Sequence, residues 1–298
     1  MLVSALLLLS SSWNVQANGK KVRAGNRSDA IIIPSPVINY VRPNLTFGND
    51  EYAGPADIWN PGEGFLVQSI NPNSYNLNFP TTGAHNLYFD LLITGDIEEL
   101  TWAPVTHEGI TATVTNVVPN YSWISGKAVA RVKLTGPEAR SQWKNPSPSQ
   151  IAKPGLPQTF ELVGRDINTG DEVVKYGFVL KKWFISSGAV RRYYNEQSGW
   201  CRGLGYRIPR VRDLTNSNYN NLGAAPSSSD NNYMRHIGAG FFTEWGDMHV
   251  YPPDAGFVYG YYWTGDATGS SQFNVYSYLG GVHSDSASNS RYGLCTAP

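Results

Sequence analysis

The chain has 298 residues, with 23 basic and 23 acidic side chains and a formal net charge of zero at pH 7. This length is enough for more than one domain with a buried core. The even charge balance predicts no broad basic face of the kind that nucleic-acid binding requires, so no nucleic-acid partner is expected. Charged residues make up only 15% of the chain, whereas it contains 30 glycines and 18 tyrosines, a composition typical of secreted, β-rich proteins.

Residues 1–17 have the pattern of a secretory signal peptide. An apolar run at residues 2–9 is followed by serines and then by small residues near Ala17, although the usual positive charge at the start is missing. The run is too short to span a membrane. We therefore expect a chain that is exported through the periplasm to the cell surface or the medium, with no transmembrane segment. A buried first strand or helix is the alternative.

Residues 18–61 are poor in core-forming sequence. Basic residues cluster between positions 20 and 27, and prolines interrupt the remainder. We interpret this stretch as an extended, proline-rich tether or export segment, in which residues 31–33 and 37–41 could still pair as edge strands. A disordered leader is the alternative interpretation.

Between residues 62 and 182 the apolar side chains alternate with polar ones, as in half-buried strands. Leu87, Phe89 and Leu91 fall on one face of such a strand. Six or seven strands of this kind, without a cysteine, predict an immunoglobulin-like β-sandwich. The run of residues 173–185 has no break, so one strand would pass from this domain into the next and hold the two rigidly.

Residues 183–298 contain both cysteines of the chain. Trp200, Cys201 and Leu204 recur at intervals that let one short helix bury all three. Cys295 lies too close to the end of the chain to begin another element. The two cysteines are the obvious disulfide pair in an oxidising compartment, with two free, buried thiols as the alternative.

The sequence of residues 200–215, Trp-Cys-x-x-Leu-Gly-Tyr-x-Ile-Pro-x-Val-x-Asp-Leu-Thr, resembles the lectin-like domain that ends the passenger of intimin and invasin proteins. The pattern continues with Arg-His-Ile-Gly-Ala-Gly from Arg235, Glu-Trp-Gly from Glu244, Gly-Tyr-Tyr-Trp-Thr from Gly260, Gln-Phe-Asn-Val from Gln272, and Cys-x-x-Pro at the end. The resemblance implies a C-type-lectin-like fold stapled by a disulfide from its first helix to its last strand. The predicted fold is therefore mainly β with a smaller α+β part, a sandwich followed by a lectin-like domain.

The resemblance also implies a function. Intimin and invasin carry their own outer-membrane β-barrel, for which this chain has no room, so it is similar to a passenger exported by a separate intimin-like barrel, as in the enterobacterial Zir system. The implied role is an exported bacterial binding protein, an adhesin that modulates virulence. Its lectin-like tip would contact a surface protein or a companion secreted protein, with a glycan as the alternative ligand.

An enzyme is the alternative function. Residues 204–209 also resemble the Tyr-Arg-Leu-Pro motif of formylglycine-generating enzymes, which share the lectin-like fold. Those enzymes need a reactive cysteine pair, whereas both cysteines here are expected to be structural. The sequence has no Gly-x-Ser-x-Gly, His-Glu-x-x-His or glycine-rich phosphate loop. We therefore expect no enzymatic activity and no catalytic residue.

Neither a metal nor a cofactor is expected. Calcium-dependent sugar binding needs paired carboxylate and amide oxygens, and the Glu-Pro-Asn, Gln-Pro-Asp and Trp-Asn-Asp motifs of such lectins are absent. The nearest substitutes are residues 230–232 and 244–247. No two of the five histidines have the spacing of metal ligands.

Binding residues are expected among the aromatic side chains of the last domain. Protein interfaces draw their energy from a few tyrosine, tryptophan and arginine anchors, and this domain has more of them than one small core can hold. Those with glycine, asparagine, serine or proline neighbours are the expected exposed patch at the tip. The predicted binding residues are Tyr219, Tyr233 and Tyr251, with Arg210 and Arg212.

Overall fold

Most regular structure in this computed structural model, which describes residues 36–95, 97–119 and 127–297, is β-strand. The predicted signal peptide and the first part of the predicted tether lie outside these residues. The strands are β1 (Ile38–Arg42), β2 (Trp59–Asn60), β3 (Gly64–Leu66), β4 (Thr82–Ala84), β5 (Tyr88–Ile93), β6 (Leu100–Trp102), β7 (Val105–His107), β8 (Ile110–Val117), β9 (Val129–Thr135), β10 (Gln158–Asp166), β11 (Glu172–Leu180), β12 (Lys182–Ser186), β13 (Tyr261–Thr268), β14 (Ser271–Tyr276), β15 (Val282–Ser286) and β16 (Leu294–Thr296).

The helices are short. They are α1 (Tyr194–Gly203), α2 (Val211–Leu214) and α3 (Phe241–Trp245), with 3-10 turns at Asp50–Tyr52, Pro72–Leu77, Arg140–Gln142, Met248–Val250 and Pro253–Ala255. Within the described ranges, no helix has both the length and the apolar composition that crossing a bilayer requires.

Two sheets form the predicted sandwich. The larger has the order β2-β3-β1-β5-β9-β8-β7, and the smaller has the order β11-β10-β6. Their inner faces meet through aromatic rings: Phe89 of β5 lies 5.8 Å from Phe178 of β11, which in turn stacks on Phe160 of β10 at 5.2 Å. Alternate residues of β10 are buried, as the period-two pattern predicts. The immunoglobulin-like, mainly β fold is confirmed.

Strand β1 corrects the prediction of a tether with only edge strands. It lies between β3 and β5 in the larger sheet, with Val41 opposite Leu91. Ile38 and Val41 are buried, and the prolines at positions 36 and 43 flank the strand, so they do not interrupt its hydrogen-bond ladder. Residues 38–42 are therefore part of the sandwich core.

Strand β12 continues from β11 after a single residue, as the unbroken sequence predicts. It pairs with β4 in parallel and with β16 antiparallel, so it belongs to a third sheet of order β16-β12-β4. Trp183 on β12 is fully buried, and its indole N–H donates to the carbonyl of Pro137 at 2.9 Å. A Cβ at Gly83 or Gly136 would meet this ring within 3 Å, so both glycines are needed for the close packing. The division into domains at residue 183 stays a prediction.

A disulfide joins α1 to β16. Cys201 and Cys295 are linked, with 5.4 Å between their Cα atoms, and both are fully buried. Trp200 and Leu204 are buried beside Cys201, and Gly205 takes a positive φ of 85° after the helix, as expected at a helix C-terminus. The predicted pairing and the staple from first helix to last strand are confirmed.

A buried arginine connects the loop between β1 and β2, residues 43–58, to the last part of the chain; we call this segment the N-terminal loop. The Arg235 guanidinium donates to the carbonyls of Asn44 and Thr46 at 2.5 and 3.0 Å. It also lies over the ring of Trp59 at 4.8 Å and over that of Tyr233 at 5.4 Å. Burial lowers the pKa of Arg235. These contacts fix residues 44–59 against the lectin-like part, although the sequence predicts a tether here.

A buried carboxylate makes a second connection. Glu244 of α3 is fully buried, and it accepts hydrogen bonds from the main-chain N–H groups of Thr81, Thr82 and Gly238 at 2.9–3.0 Å. The hydroxyls of Thr81 and Thr82 donate to it as well. Burial raises the pKa of Glu244, and these hydrogen bonds offset part of the rise. The start of β4 is thereby anchored to α3.

Candidate functional site

A row of half-exposed rings lies on one face of the three-stranded sheet β13-β14-β15. We call it the tyrosine surface and define it by its six members, which are Tyr259, Tyr261, Tyr276, Tyr278, His249 and His283. Each ring contacts at least one other member, with centroid distances between 4.7 and 6.3 Å. The surface is therefore continuous.

Strand pairing determines the positions of the two rings at the centre of the tyrosine surface. Tyr261 of β13 lies directly opposite Tyr276 of β14, and the two rings stack at 4.7 Å with 21° between their planes. Their neighbours Tyr262 and Val275 are fully buried on the other face of the sheet. Because side chains alternate between faces, Tyr261 and Tyr276 point outward.

The surface extends from this pair in both directions. The ring of Tyr259, which is 53% exposed, lies 5.2 Å from Tyr276, 5.1 Å from Tyr278 and 5.9 Å from His249. At the other end, His283 of β15 meets the ring of Tyr261 edge-on at 5.2 Å. Tyr259 is the most exposed tyrosine of the described chain, so it is the ring that a partner can cover most fully.

Contacts from distant segments hold the rings in place. Phe47 of the N-terminal loop packs edge-on against Tyr278 at 4.4 Å. Behind it, the hydroxyl of Tyr233 donates to the carbonyl of Tyr278 at 3.1 Å. Gly260 has a φ of 152°, and a Cβ there would lie 2.6 Å from the ring of Tyr292. The rings are therefore positioned before any partner arrives.

Charges near the surface are balanced. Arg291 lies over the ring of Tyr261 at 5.4 Å and donates to the Asp285 carboxylate at 2.6 and 2.9 Å. Burial raises the pKa of Tyr276, and a hydrogen bond with Tyr259 adds to the rise. Burial also lowers the pKa of His283, which the nearby charge of Asp285 opposes. The hydroxyl of Tyr276 is therefore neutral at pH 7 and offers a hydrogen bond without charge.

Two of the predicted binding tyrosines are in the core. Tyr233 is fully buried beside Arg235, and burial raises its pKa. Tyr251 is buried too, since its hydroxyl donates to the carbonyl of Trp245 at 3.0 Å and accepts from the N–H of Asn44 at 3.1 Å. The prediction that both lie exposed at the tip is wrong, because residues distant in sequence cover them.

The other predicted residues lie nearer the surface. Tyr219 is half-buried, with its ring 6.0 Å from that of Phe273. Arg210 and Arg212 are exposed at the start of α2 and within it. A binding role for these three residues stays a prediction.

Asp213 of α2 is the carboxylate beside these arginines. It accepts from the Lys182 ammonium at 2.5 Å, from the Arg207 guanidinium at 2.9 Å and from the main-chain N–H of Arg210 at 2.9 Å. Burial by itself raises the pKa of Asp213, but these hydrogen bonds outweigh burial and the pKa is lowered. The folded state therefore favours the ionised carboxylate.

Asp213→Asn is expected to destabilise the protein at pH 7 by about 2 kcal/mol, because two cations lose a charged acceptor. A lowered pKa in the folded state stabilises fully above the ordinary aspartate value of about 3.9, and this stabilisation disappears as the pH falls through the folded value. The difference in free energy of unfolding between the wild type and Asp213→Asn, measured with urea from pH 7 downward, should therefore narrow only below about pH 4. A difference that is independent of pH would contradict this assignment.

Local sequence pattern predicts only part of the tyrosine surface. The alternating aromatic residues at 257–263 predict a strand with rings on both faces, and the structure has β13 there. Which rings stay exposed depends on contacts with Phe47 and Tyr292, which lie far away in sequence. The sequence predicts no role for His249, which is one of the five histidines without ligand spacing.

The groups nearest to a calcium or zinc site are engaged internally. Glu244 accepts the hydrogen bonds described above, Asp247 contacts the ring nitrogen of His249 at 2.9 Å, and Asp230 accepts from the N–H of Asn232 at 3.1 Å. In residues 36–95, 97–119 and 127–297, no three His, Cys, Asp or Glu side chains gather as metal ligands would. The disulfide uses both cysteines, so the reactive pair that the enzyme alternative requires is not available.

Comparison with known proteins finds similar curated sequences and several similar solved structures. No family model matches the chain. It is 26% identical over 133 residues to the inverse autotransporter adhesin YeeJ of Escherichia coli (strain K12), a match that covers 42% of this chain and 5% of the adhesin. The chain thus spans about one twentieth of that relative.

In structure, the chain superposes on invasin, described as a bacterial integrin-binding protein, with a TM-score of 0.54 and 16% identity, over 89% of this chain and 40% of the invasin chain. An intimin mutant from EHEC O157:H7 gives a TM-score of 0.45 at 12% identity, over 88% of this chain and 98% of that one. An intimin fragment in complex with the translocated intimin receptor gives 0.46 at 11% identity, over 88% and 66%. The invasin match shows that most of this chain shares the invasin fold.

Proposed function

We propose that this chain, whose fold is that of the intimin and invasin passengers, is an exported bacterial adhesin that binds a protein partner through the tyrosine surface. The observation that supports this proposal is the continuous row of half-exposed, pre-positioned rings on the lectin-like sheet. The partner is a surface protein or a companion secreted protein. Secretion through the periplasm, export by a separate intimin-like barrel and a role in virulence belong to the same proposal.

Tyrosines suit such a role because each combines a large apolar ring with a hydroxyl that can bond to a polar partner. A ring already held by its neighbours loses little conformational freedom on binding. The contacts of Tyr261 with Tyr276, and of Tyr278 with Phe47, provide this order. Invasin, which shares the fold, is described as an integrin-binding protein, and this favours a protein over a glycan as the partner.

The test replaces the most exposed ring. Tyr259→Ala and Tyr259→Ala/Tyr278→Ala are compared with the wild type in binding to outer-membrane and host-cell surface proteins, followed by measurement of Kd for each protein captured. Tyr259→Ala should weaken binding by about 1 kcal/mol or more, roughly fivefold in Kd. Thermal melting should be unchanged for Tyr259→Ala, since half of this ring is in water.

The matched control is Tyr193→Ala, because Tyr193 is 52% exposed but stands at the start of α1, outside the tyrosine surface. The control should bind as the wild type does. If Tyr193→Ala weakens binding as much as Tyr259→Ala, or if the double variant binds normally, the proposal is wrong. The experiment uses the whole chain, since Phe47 and Asn44 contribute contacts to the lectin-like part.

A further inference from the structure

A group of cationic side chains gathers around the end of α1 and the start of α2. We call it the basic surface, and its members are Lys153, Lys182, Arg202, Arg207, Arg210 and Arg212. The zero net charge of the whole chain conceals this local excess. The tyrosine surface and the basic surface share no residue.

Contacts of the loop at residues 151–153 place Lys153 beside the end of α1. The N–H of Ile151 donates to the carbonyl of Leu204 at 3.2 Å, and the hydroxyl of Tyr206 donates to the carbonyl of Ala152 at 2.6 Å. Residues 151–153 therefore run beside residues 204–206. A Cβ at Gly205 would lie 3.1 Å from Cε of Lys153, which places this lysine next to the end of α1.

Asp213 holds two cations of the basic surface together. Its single carboxylate binds both Lys182 and Arg207, whose side chains are still about two-fifths exposed. The only other carboxylate hydrogen-bonded to α2 in the described chain is Asp266, which accepts from the N–H of Val211 at 2.7 Å. The two carboxylates are fewer than the six cations of the basic surface, so the local charge stays positive.

The remaining four cations of the basic surface are exposed to solvent. Arg202, Arg210, Arg212 and Lys153 are exposed, and none takes part in an ion pair within the described ranges. Arginine presents a planar fork of donors that matches sulfate, phosphate and carboxylate groups. Such a cluster raises the local concentration of anions.

The surroundings of these cations narrow the class of anion. The exposed large hydrophobic side chains of the described chain all lie outside residues 150–153 and 202–212, so no apolar side chain is available there to enter a lipid bilayer. Tyr206, the one aromatic residue of residues 202–212, is buried, so it cannot stack on a nucleic-acid base. With a lipid bilayer and a nucleic acid disfavoured, the expected ligand is an anion that binds through its negative charges.

We propose that the basic surface binds a sulfated polysaccharide, with Arg202, Arg210 and Arg212 as the principal contacts. The sulfate groups of such a chain are strong, fully ionised acceptors spaced along a flexible polymer. They can meet exposed guanidinium groups without a shaped pocket. Ion release from both partners makes the binding strongly dependent on salt.

The test measures binding of a heparin octasaccharide to the whole chain by calorimetry at about 0.15 M salt. Arg210→Gln/Arg212→Gln should weaken binding at least tenfold. It should also reduce the slope of log K against log salt by about one unit for each cation removed. The control Lys127→Gln/Lys133→Gln removes the same charge from exposed residues of the sandwich and should change Kd less than twofold.

Three outcomes would overturn the proposal. The first is no measurable binding of heparin, and the second is an equal loss in the control pair, which would mean that only net charge matters. The third is tighter binding to anionic phospholipid vesicles or to single-stranded DNA than to heparin. Tyr259→Ala should leave heparin binding unchanged, so failure of this proposal and failure of the proposed protein contact are distinguishable.

Discussion

Glu244→Ala is expected to lower the free energy of unfolding by about 3 to 5 kcal/mol. The change removes the carboxylate that accepts from Thr81, Thr82 and Gly238, and it leaves several buried donors without a partner. Each buried donor left unsatisfied costs about 1 to 3 kcal/mol. The effect should be large because these donors anchor the start of β4 to α3, and the indole N–H of Trp245 also donates to Thr82.

The measurement is urea unfolding, in which the midpoint should fall while the dependence on denaturant stays the same. Glu244→Gln is the informative second variant, since it keeps one acceptor oxygen but turns an amide toward main-chain N–H groups. Glu99→Ala is the control, because Glu99 is exposed and should change stability by less than about 0.5 kcal/mol. Glu244→Ala within 1 kcal/mol of the wild type would show that water replaces the carboxylate adequately.

Removing the disulfide is expected to have a similar effect. Cys201 and Cys295 are separated by 94 residues, and closing a loop of that size stabilises a fold by roughly 4 to 5 kcal/mol on the chain-entropy estimate. Cys201→Ser/Cys295→Ser should lose most of this stabilisation. It also places two hydroxyls at fully buried positions, which adds to the cost.

Unfolding in the presence of a reductant separates the effect of losing the disulfide from the effect of burying two serine hydroxyls. Dithiothreitol should lower the free energy of unfolding of the wild-type protein. It should leave the free energy of unfolding of the double serine variant unchanged. Non-reducing peptide mapping should show one crosslinked pair joining the peptides that contain Cys201 and Cys295. Recovery of both thiols in alkylated form from exported protein would contradict the pairing.

The sequence predicts those parts of the fold that depend on local pattern. Alternation at Leu87, Phe89 and Leu91 marks a strand because the period of two needs no knowledge of its partner. The disulfide is predictable because the chain has only two cysteines. The position of β1 is not, since its partner Leu91 lies fifty residues away and the flanking prolines suggest a tether.

The same limit applies to the candidate site. Glycine, asparagine and proline neighbours predict that Tyr233 and Tyr251 lie in loops, and both do lie outside helices and strands. Loop position does not decide exposure, however. Tyr251 is covered because Asn44 bonds to its hydroxyl, and Tyr278 stays half-exposed although Phe47 packs against it. Both outcomes depend on the N-terminal loop, whose place in the fold no local pattern reveals.

The contacts of the N-terminal loop also limit which recombination events between related genes can yield a folded protein. A recombination junction near residue 183 would transfer Arg235 and Tyr278 without Asn44, Thr46 and Phe47. In the recombinant protein, the buried Arg235 guanidinium would face the carbonyls of an unrelated loop or would have no carbonyl to donate to. The lectin-like part is therefore not a cassette that can be exchanged alone. Substitutions on either side of this contact should be accepted only in compatible combinations, so the two halves of the gene should diverge together.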